Sequence, residues 1–438
     1  MAYGSQQSNV DAITAITGIV HEVFVGDVLP GVGWESITGQ MYSNAGSGEY
    51  TYDGESLNGA TDLNRPTGAQ GSAGALPDSA HTDAANWQTT PARAYVRRAV
   101  DNFVESRAVA GPGAFDDLGG RLFDQMWGAL ALMKIRHAIG GADAIICTVA
   151  SRTSATVWVA KNGFNHADTD PLMMIDVGMI LCHHSSDGGA VEGAASVASI
   201  VYSTKTVTMT SGQDWDDTTI AANDIICAGT TTSITADYFE SENNLACNGQ
   251  TEVIDVDGNL TTVFGIAEGT FDRWKPFRVA SGTFDHIEVT EFARRLAAKS
   301  TRPVTSDSHT FVMAGGSYAE LARTLVGFQQ AQQLGKTFEG GYQAVRIGTH
   351  DIAVDDYQLH DAMVAYCTED LYTVSLVEAG YFDEDGSMYQ RIADFDGKEW
   401  FVRDYGNSFA PSRNRGGALT GITHNNVDPD DYTPTPNY

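Results

Sequence analysis

The chain is short of lysine. Only seven of its 438 residues are lysines, and none occurs before Lys134. Acidic residues number 56 against 26 basic ones, for a net charge of −30. That balance argues against a protein that grips nucleic acid, which must replace counterions with clustered Lys and Arg. It suits a protein that stays soluble when crowded or in salty surroundings. Apolar runs are short too, and none approaches the length of about 18 residues that a membrane-spanning helix needs. No basic stretch opens the sequence, so no secretory signal is expected. Val10 to Phe24 is mildly amphipathic but carries no Lys or Arg, which argues against a membrane-surface role. The five cysteines (Cys147, Cys182, Cys227, Cys247 and Cys367) are odd in number and form no Cys-x-x-Cys. Most sit in apolar runs such as Ile145-Ile146-Cys147, so buried, reduced thilols of a chain folded in a cytoplasm are expected.

Complete catalytic signatures are missing as well. There is no Walker-type or dinucleotide glycine loop. Gly315-Gly316-Ser317-Tyr318-Ala319 lies between an expected strand and an expected helix, where a hydrolase nucleophile elbow would lie, but its last position is Ala319. Ser317 with Glu320 also fits a capping box opening a helix over Tyr318 to Phe328, which explains the serine without catalysis. Cys182-His183-His184 offers metal-ligand types, yet no fourth ligand is spaced to join them, and neighbouring strand residues point to opposite faces. Asp255-Val256-Asp257-Gly258 and Asp383-Glu384-Asp385-Gly386 look like calcium loops without the closing Glu, so acidic turns are expected. No catalytic residue, cofactor or metal site is assigned, and that favours a structural protein over an enzyme.

What is present is organised around Phe115 to Ile139. Phe115, Leu118, Leu122, Met126, Ala129, Met133 and Ile139 recur at close to helical spacing, and Phe123, Trp127, Leu130 and Leu132 widen the stripe. Asp116 and Asp117 fall in the first turn, Lys134, Arg136 and His137 in the last, and Gly140-Gly141 follow. About 25 residues at 1.5 Å each make a rod of roughly 37 Å.

Before this helix, residues 1–48 read as an arm. Residues 49–91 are rich in Gly, Ser, Asn, Asp, Thr and Pro and read as a long loop or exposed hairpin, with Tyr50 and Tyr52 on one strand. Residues 92–109 fit helix and strand in part, and a returning strand is preferred. They hold the densest positive cluster, Arg93, Arg97, Arg98 and Arg107, which a solvated face paired with acidic neighbours explains more simply than a phosphate site. After the helix, residues 143–270 are β-rich. Strands are expected at Ala155–Val159, Leu172–Leu181 and Ile220–Ala228, and a hairpin joins Ser196–Ser203 to Thr206–Thr210. A helix over Ile287–Ala298 and a buried strand at Phe311–Ala314 come next. Strands follow at Ala344–Ile347, Asp351–Val354, Ala362–Tyr366 and Tyr372–Val377, with turns at Asp385-Gly386 and Asp396-Gly397. The tail after Ile422 is expected to fray.

This order of parts resembles the major capsid proteins of tailed double-stranded DNA viruses, the Hong Kong 97-type family. The resemblance is one of layout over most of the chain. An arm, a long polar loop and a spine helix open it. Trp274-Lys275-Pro276 before a helix, Thr310-Phe311-Val312-Met313, Gly348 to Asp355, Ala365 to Leu371, and Trp400-Phe401-Val402-Arg403 through Arg413-Asn414-Arg415 to Ile422 continue it.

The resemblance implies an α+β fold with an N-terminal arm (1–48), an extended loop and return strand (49–109) and the spine helix of a peripheral domain (110–144). It further implies an inserted β-rich subdomain or enlarged axial domain (145–270), axial and peripheral core (271–345), and peripheral strands with a C-terminal tail (346–438). It also implies self-assembly into hexamers and pentamers of an icosahedral shell around packaged DNA, with little direct DNA contact. A separate scaffolding protein, a portal and a cement or decoration protein would be partners, with assembly in the host cytoplasm. Some relatives crosslink through a lysine in the extended loop, and the absence of lysine from residues 1–133 excludes that here. An encapsulin-like shell protein, or a tail or decoration protein of the same virus, is the alternative.

Overall fold

Hydrogen-bond pairing in the computed structural model sorts the described strands into five sheets. The structure describes residues 43–44, 50–62, 84–101, 116–166, 169–185, 189–215, 220–229, 232–234, 246–256, 258–300, 303–326, 334–337, 343–347, 350–381, 390–391 and 397–422. The expected arm, apart from β1 (Ser43–Asn44), lies outside them, as do Arg107, the turn Asp385-Gly386, Asp396 of the turn before Gly397, and the tail.

The 49–91 segment forms a three-stranded antiparallel sheet of β2 (Thr51–Tyr52), β3 (Leu57–Asp62) and β4 (Ala84–Thr89). Asp53 sets the first turn, its Oδ1 accepting the Ser56 amide at 2.7 Å and the Glu55 amide at 3.0 Å. The preferred strand reading of 92–109 holds for β5 (Ala92–Asp101). Helix α1 (Asp116–Gly140) is the expected spine. Met126, Trp127, Leu130 and Met133 are buried and Ala129 is exposed, so the stripe leaves Ala129 aside. Its last turn is buried all round, from Ile135 to Ile139.

The β-rich segment closes into a six-stranded antiparallel barrel. Its members are β6 (Ile145–Arg152), β7 (Val157–Gly163), β8 (Ile180–His184), β9 (Gly193–Val201), β10 (Thr206–Met209) and β11 (Ile225–Ala228), in the order β10-β7-β6-β11-β8-β9. Trp158, Val149, Leu181, Ala195, Val207 and Ile226 are buried in one cluster, as side chains filling a small barrel would be. The β9–β10 hairpin turns at Tyr202–Thr204, where Lys205 takes φ 50°. The strand expected at Leu172–Leu181 starts only at Ile180. Asp170 Oδ1 accepts the Leu172 amide at 3.0 Å, and Met179 N bonds Asp176 O at 3.1 Å, so Leu172 to Met179 fold as turns. Leu172, Met174 and Ile175 are buried there. Apolar content alone suggested a strand, but local turn bonds win.

Helix α2 (Gln250–Ile254) and the hairpin β12 (Thr262–Val263) to β13 (Ile266–Ala267) lead into a seven-stranded mixed sheet. Its strands are β14 (Phe277–Ala280), then, after helix α3 (His286–Ser300), β15 (His309–Met313). After helix α4 (Gly315–Val326) come β16 (Leu334–Thr337), β17 (Gln343–Ile347), β18 (His350–Val354) and β19 (Ala362–Cys367). The chain then leaves for β20 (Tyr372–Tyr381), β21 (Gln390–Arg391) and β22 (Gly397–Phe409), and returns as β23 (Gly417–Thr420). The order is β14-β23-β19-β15-β18-β17-β16, so the sheet continues across the boundary drawn at residue 345.

One face of this sheet (Phe311, Met313, Ile352, Met363, Ala365, Leu419) packs on Val289, Phe292, Ala293 and Leu296 of α3 and Leu321 of α4. The other face, with Val312, Ala353, Val364 and Ala418, joins the main core. Burial on both faces explains why β15 and β19 read as unbroken apolar runs. Finally, β22 pairs along its length with β5 and β20, making a long sheet completed by β1 and β21.

Candidate assembly surface and the junction beneath it

The long sheet has two unlike faces. On one, Ala92 and Ala94 of β5 and Trp400, Val402 and Asp404 of β22 are buried. Helix α1 packs there, and Lys134 forms an ion pair with Asp404. The two alanines keep β5 low enough for a helix to approach. The other face carries Arg93, Tyr95 and Arg97 of β5 beside Tyr405, Arg403 and Phe401 of β22, each directly opposite its partner. Tyr95 is 48% exposed. Its hydroxyl hydrogen-bonds that of Tyr405, and desolvation with this bond pushes its pKa up to about 12. Arg97 lies 5.5 Å over the Phe401 ring and pairs with Glu399, and Arg403 lies 5.7 Å over Tyr405. Of the cluster read from sequence, Arg93 and Arg97 share this aromatic-laced face and Arg97 pairs with acidic Glu399, whereas Arg98 lies opposite Trp400 on the other face and Arg107 is outside the described residues.

Under the hairpin sheet, a polar knot ties β4 to β22. Asn248 Nδ2 donates to Thr89 Oγ1 at 2.7 Å and Ser408 O at 3.0 Å. Asn407 Nδ2 donates to Thr90 O at 2.6 Å, and its Oδ1 accepts the Asn248 amide at 2.7 Å. Trp87 stacks on Phe409 with centroids 4.2 Å apart. Deeper in, Arg413 is 1% exposed. It pairs with buried Glu268, donates from Nε to Val253 O at 3.1 Å, and lies 4.7 Å over the Trp274 ring.

Beside it, Glu252 takes the Gly249 amide at 2.7 Å and the Ala142 amide at 2.9 Å. Although part of the residue reaches the surface, its carboxylate lies against Gly141, whose φ of +75° suits glycine. Desolvation pushes the Glu252 carboxyl up to about 7, against the pull of its amide donors. Arg413 entered the sequence reading only within the closing Arg413-Asn414-Arg415 run, and Glu268, Glu252, Asn248 and Asn407 did not enter it. Their partners lie up to 318 positions away, and no local spacing marks them.

The sequence candidates disperse. Ser317 is fully buried in the first turn of α4, and its hydroxyl donates to His360 O. The helix opens earlier than expected, with Tyr318 N bonding Ala314 O at 3.0 Å, so Ser317 is not its N-cap and the capping-box reading is corrected. His183 lies edge-on to Trp215 at 4.9 Å, while Cys182 Sγ is 3.8 Å from His184 Nε2. His184 Nδ1 hydrogen-bonds Gly189 O at 2.8 Å. Among the described residues no group of three or more His, Cys, Asp or Glu is placed to hold a metal ion. Asp255 makes a turn, accepting the Asn259 amide at 3.1 Å, with Arg278 3.6 Å away. Asp383 to Gly386 lie outside the described residues. None of the five cysteines is in a disulfide, and Cys247 is only half-buried.

These parts compose the Hong Kong 97-type capsid fold, the α+β class expected from the sequence. No protein-family model and no curated protein matches the chain. Solved structures do. The capsid asymmetric unit of cyanophage A-1(L) matches over 95% of this chain and 98% of that one, at 9% identity and a TM-score of 0.52. The capsid of an empty GTA particle matches over 89% and 90%, at 9% identity and a TM-score of 0.45. The capsid of Myoviridae phage XM1 matches over 87% and 90%, at 8% identity and a TM-score of 0.40. The fold assignment rests on the first.

Proposed function

We propose that this chain is the major capsid protein of a tailed double-stranded DNA virus. It assembles into hexamers and pentamers of an icosahedral shell. The observation that carries the reading is the match to the cyanophage capsid chain over nearly all of both chains. A shared fold over that length leaves little of either chain for a different task. In this reading residues 1–48 are the arm, 49–109 the extended loop and its return, and α1 the spine of the peripheral domain. The barrel is the insert or enlarged axial domain within 145–270, residues 271–345 with α3 and α4 are axial and peripheral core, and 346–438 supply peripheral strands and the tail.

The chemistry agrees with a structural role. Ser317 and the Cys182-His183-His184 run are packed into the interior. The net charge of −30 keeps packaged DNA from sticking to the wall. Scaffolding protein, portal and cement protein are the expected partners, and host cytoplasm the site of assembly.

The test is size-exclusion chromatography with negative-stain electron microscopy of the chain expressed alone and with a candidate scaffold. Shells, rings of six or five, or tubes are expected. A monomer under every condition would overturn the reading and favour a tail or decoration protein.

A further inference from the structure

Two cysteines stand directly opposite each other in the barrel wall. Cys182 of β8 pairs in register with Cys227 of β11, with Ala194 of β9 and Ile145 of β6 on either side. These four side chains cluster with Val191 of the β8–β9 connection, on the face turned away from Leu181, Ala195 and Ile226, which fill the barrel. Gly229 N bonds Ile180 O at 2.9 Å two positions along the same ladder, which makes Cys182 and Cys227 a hydrogen-bonded pair of positions. Such partners have Cα atoms ~5.5 Å apart, within the range that a disulfide spans. The Cys182 Sγ leans across the gap, 3.7 Å from Cys227 O and 3.6 Å from Ala228 O.

Beside the pair stands a base. His184 lies on the same face as Cys182, and its Nε2 is 3.8 Å from the Cys182 Sγ. Its Nδ1 is 2.8 Å from Gly189 O. A carbonyl only accepts, so Nδ1 carries the hydrogen of the neutral ring and Nε2 turns a lone pair toward the thiol. Cys182 is 0% exposed, and Cys227 and His184 are 1% exposed, which keeps large reagents out.

We propose that Cys182 and Cys227 form a redox-active dithiol that closes reversibly into a disulfide, with a peroxide as oxidant and His184 as proton carrier. His184 Nε2 takes the Cys182 proton, the thiolate sulfur attacks one peroxide oxygen, and the O–O bond breaks. The departing hydroxide takes the proton from His184 and leaves as water, with Cys182 now a sulfenic acid. The Cys227 sulfur then displaces the sulfenic hydroxyl, which leaves as a second water with the Cys227 proton as the S–S bond forms. Two thiols and one hydrogen peroxide thus give one disulfide and two waters. Cβ atoms of facing strand residues stand about 5 Å apart and must close by about 1 Å, a strain that keeps the bond reducible. The inference does not depend on the shell reading, since both thiols belong to one barrel of one chain. Under that reading, the thiols stay reduced where the chain folds, and the staple closes in particles that leave the cell.

The test treats the folded full-length chain with hydrogen peroxide in native buffer, blocks the remaining thiols with iodoacetamide in denaturant, and maps peptides without reductant. A 182–227 disulfide within one chain is expected, exceeding any pairing with Cys147, Cys247 or Cys367 by about tenfold or more, because the fold holds its two thiols together. Dithiothreitol should return both thiols. In Cys227→Ala the reaction should stop at a Cys182 sulfenic acid that dimedone traps. His184→Asn should slow formation of the disulfide by about a hundredfold, the usual scale for a positioned base. The rate at which iodoacetamide labels Cys247, outside the barrel, should stay unchanged in that variant, and His184→Gln replaces it if the rate moves. No 182–227 disulfide in the folded chain, or pairing spread evenly among the cysteines, would overturn the proposal. So would dimedone labelling of Cys182 in Cys227→Ala that is no greater than that of Cys367. An unchanged rate in both His184 variants would overturn the role given to His184.

Discussion

Changing Glu268 to Gln leaves Arg413 charged inside the junction without its carboxylate. Arg413 is 1% exposed and Glu268 4%, so neither charge is served by water. Burial lowers the Arg413 pKa, and Glu268 is the first of the carboxylates that oppose the shift, followed by Asp255 and Glu252. Removing one partner of a buried pair typically costs about 3–5 kcal/mol, because the other charge is stranded. Asp255 and Glu252 remain nearby, so Glu268→Gln is expected at the lower end, about 3 kcal/mol. Arg413→Met loses the pair, the bond to Val253 O and the contact with Trp274, and is expected nearer 4 kcal/mol. The pair Glu268→Leu with Arg413→Met removes both charges and should recover most of the loss. Chemical unfolding followed by tryptophan fluorescence reads all three variants. Single variants within about 0.5 kcal/mol of the parent would refute the reasoning, since that is the scale of a solvated surface pair.

Three further outcomes follow from the same region and from the thiols. Glu252 holds its proton in the folded chain up to a pH of about 7, against 4.5 for the free side chain. Its contribution is therefore full below about pH 4.5 and is lost as pH rises through about 7, by up to about 3 kcal/mol. Glu252→Gln should flatten that part of the stability–pH curve, and a slope unchanged in the variant would count against it. Gly249→Ala puts a Cβ 1.9 Å from His137 O, so it should destabilise by at least about 2 kcal/mol in a melting experiment. Iodoacetamide with mass spectrometry should label half-buried Cys247 first. Burial pushes Cys147 up and Cys367 up to about 12, keeping both as unreactive thiols, so early labelling of either would contradict their packing.

Sequence signals were legible where spacing or burial repeats over a whole element. The spine helix appears at Asp116–Gly140 because helical spacing and end charges agree over 25 residues. The strands of β15, β18 and β19 appear because burial on both faces leaves an apolar run in the sequence. The segment Leu172 to Met179 misled, since its apolar residues pack from turns rather than from a strand. The capping-box reading of Ser317 failed for a similar reason, because a long-range acceptor, His360 O, takes its hydroxyl.

The β9–β10 hairpin was legible, but barrel closure depends on β10 meeting β7 and on β11 entering between β6 and β8, pairings far apart in sequence that no window records. The junction is the extreme case, because Arg413, Glu268 and Glu252 meet only once three sheets are in place. The Arg strip was seen as a cluster in sequence, but its aromatic partners Phe401 and Tyr405 come from a strand about 300 residues later, set opposite by β5–β22 pairing.

The central claim is that this chain builds a closed shell, and cryo-electron microscopy of particles assembled from it tests that most directly. The account predicts icosahedral particles of hexameric and pentameric rings, with α1 and the β5–β22 sheet recognisable in every subunit. Particles without such symmetry, or a chain whose density fits only as a single appendage on another protein's shell, would contradict it.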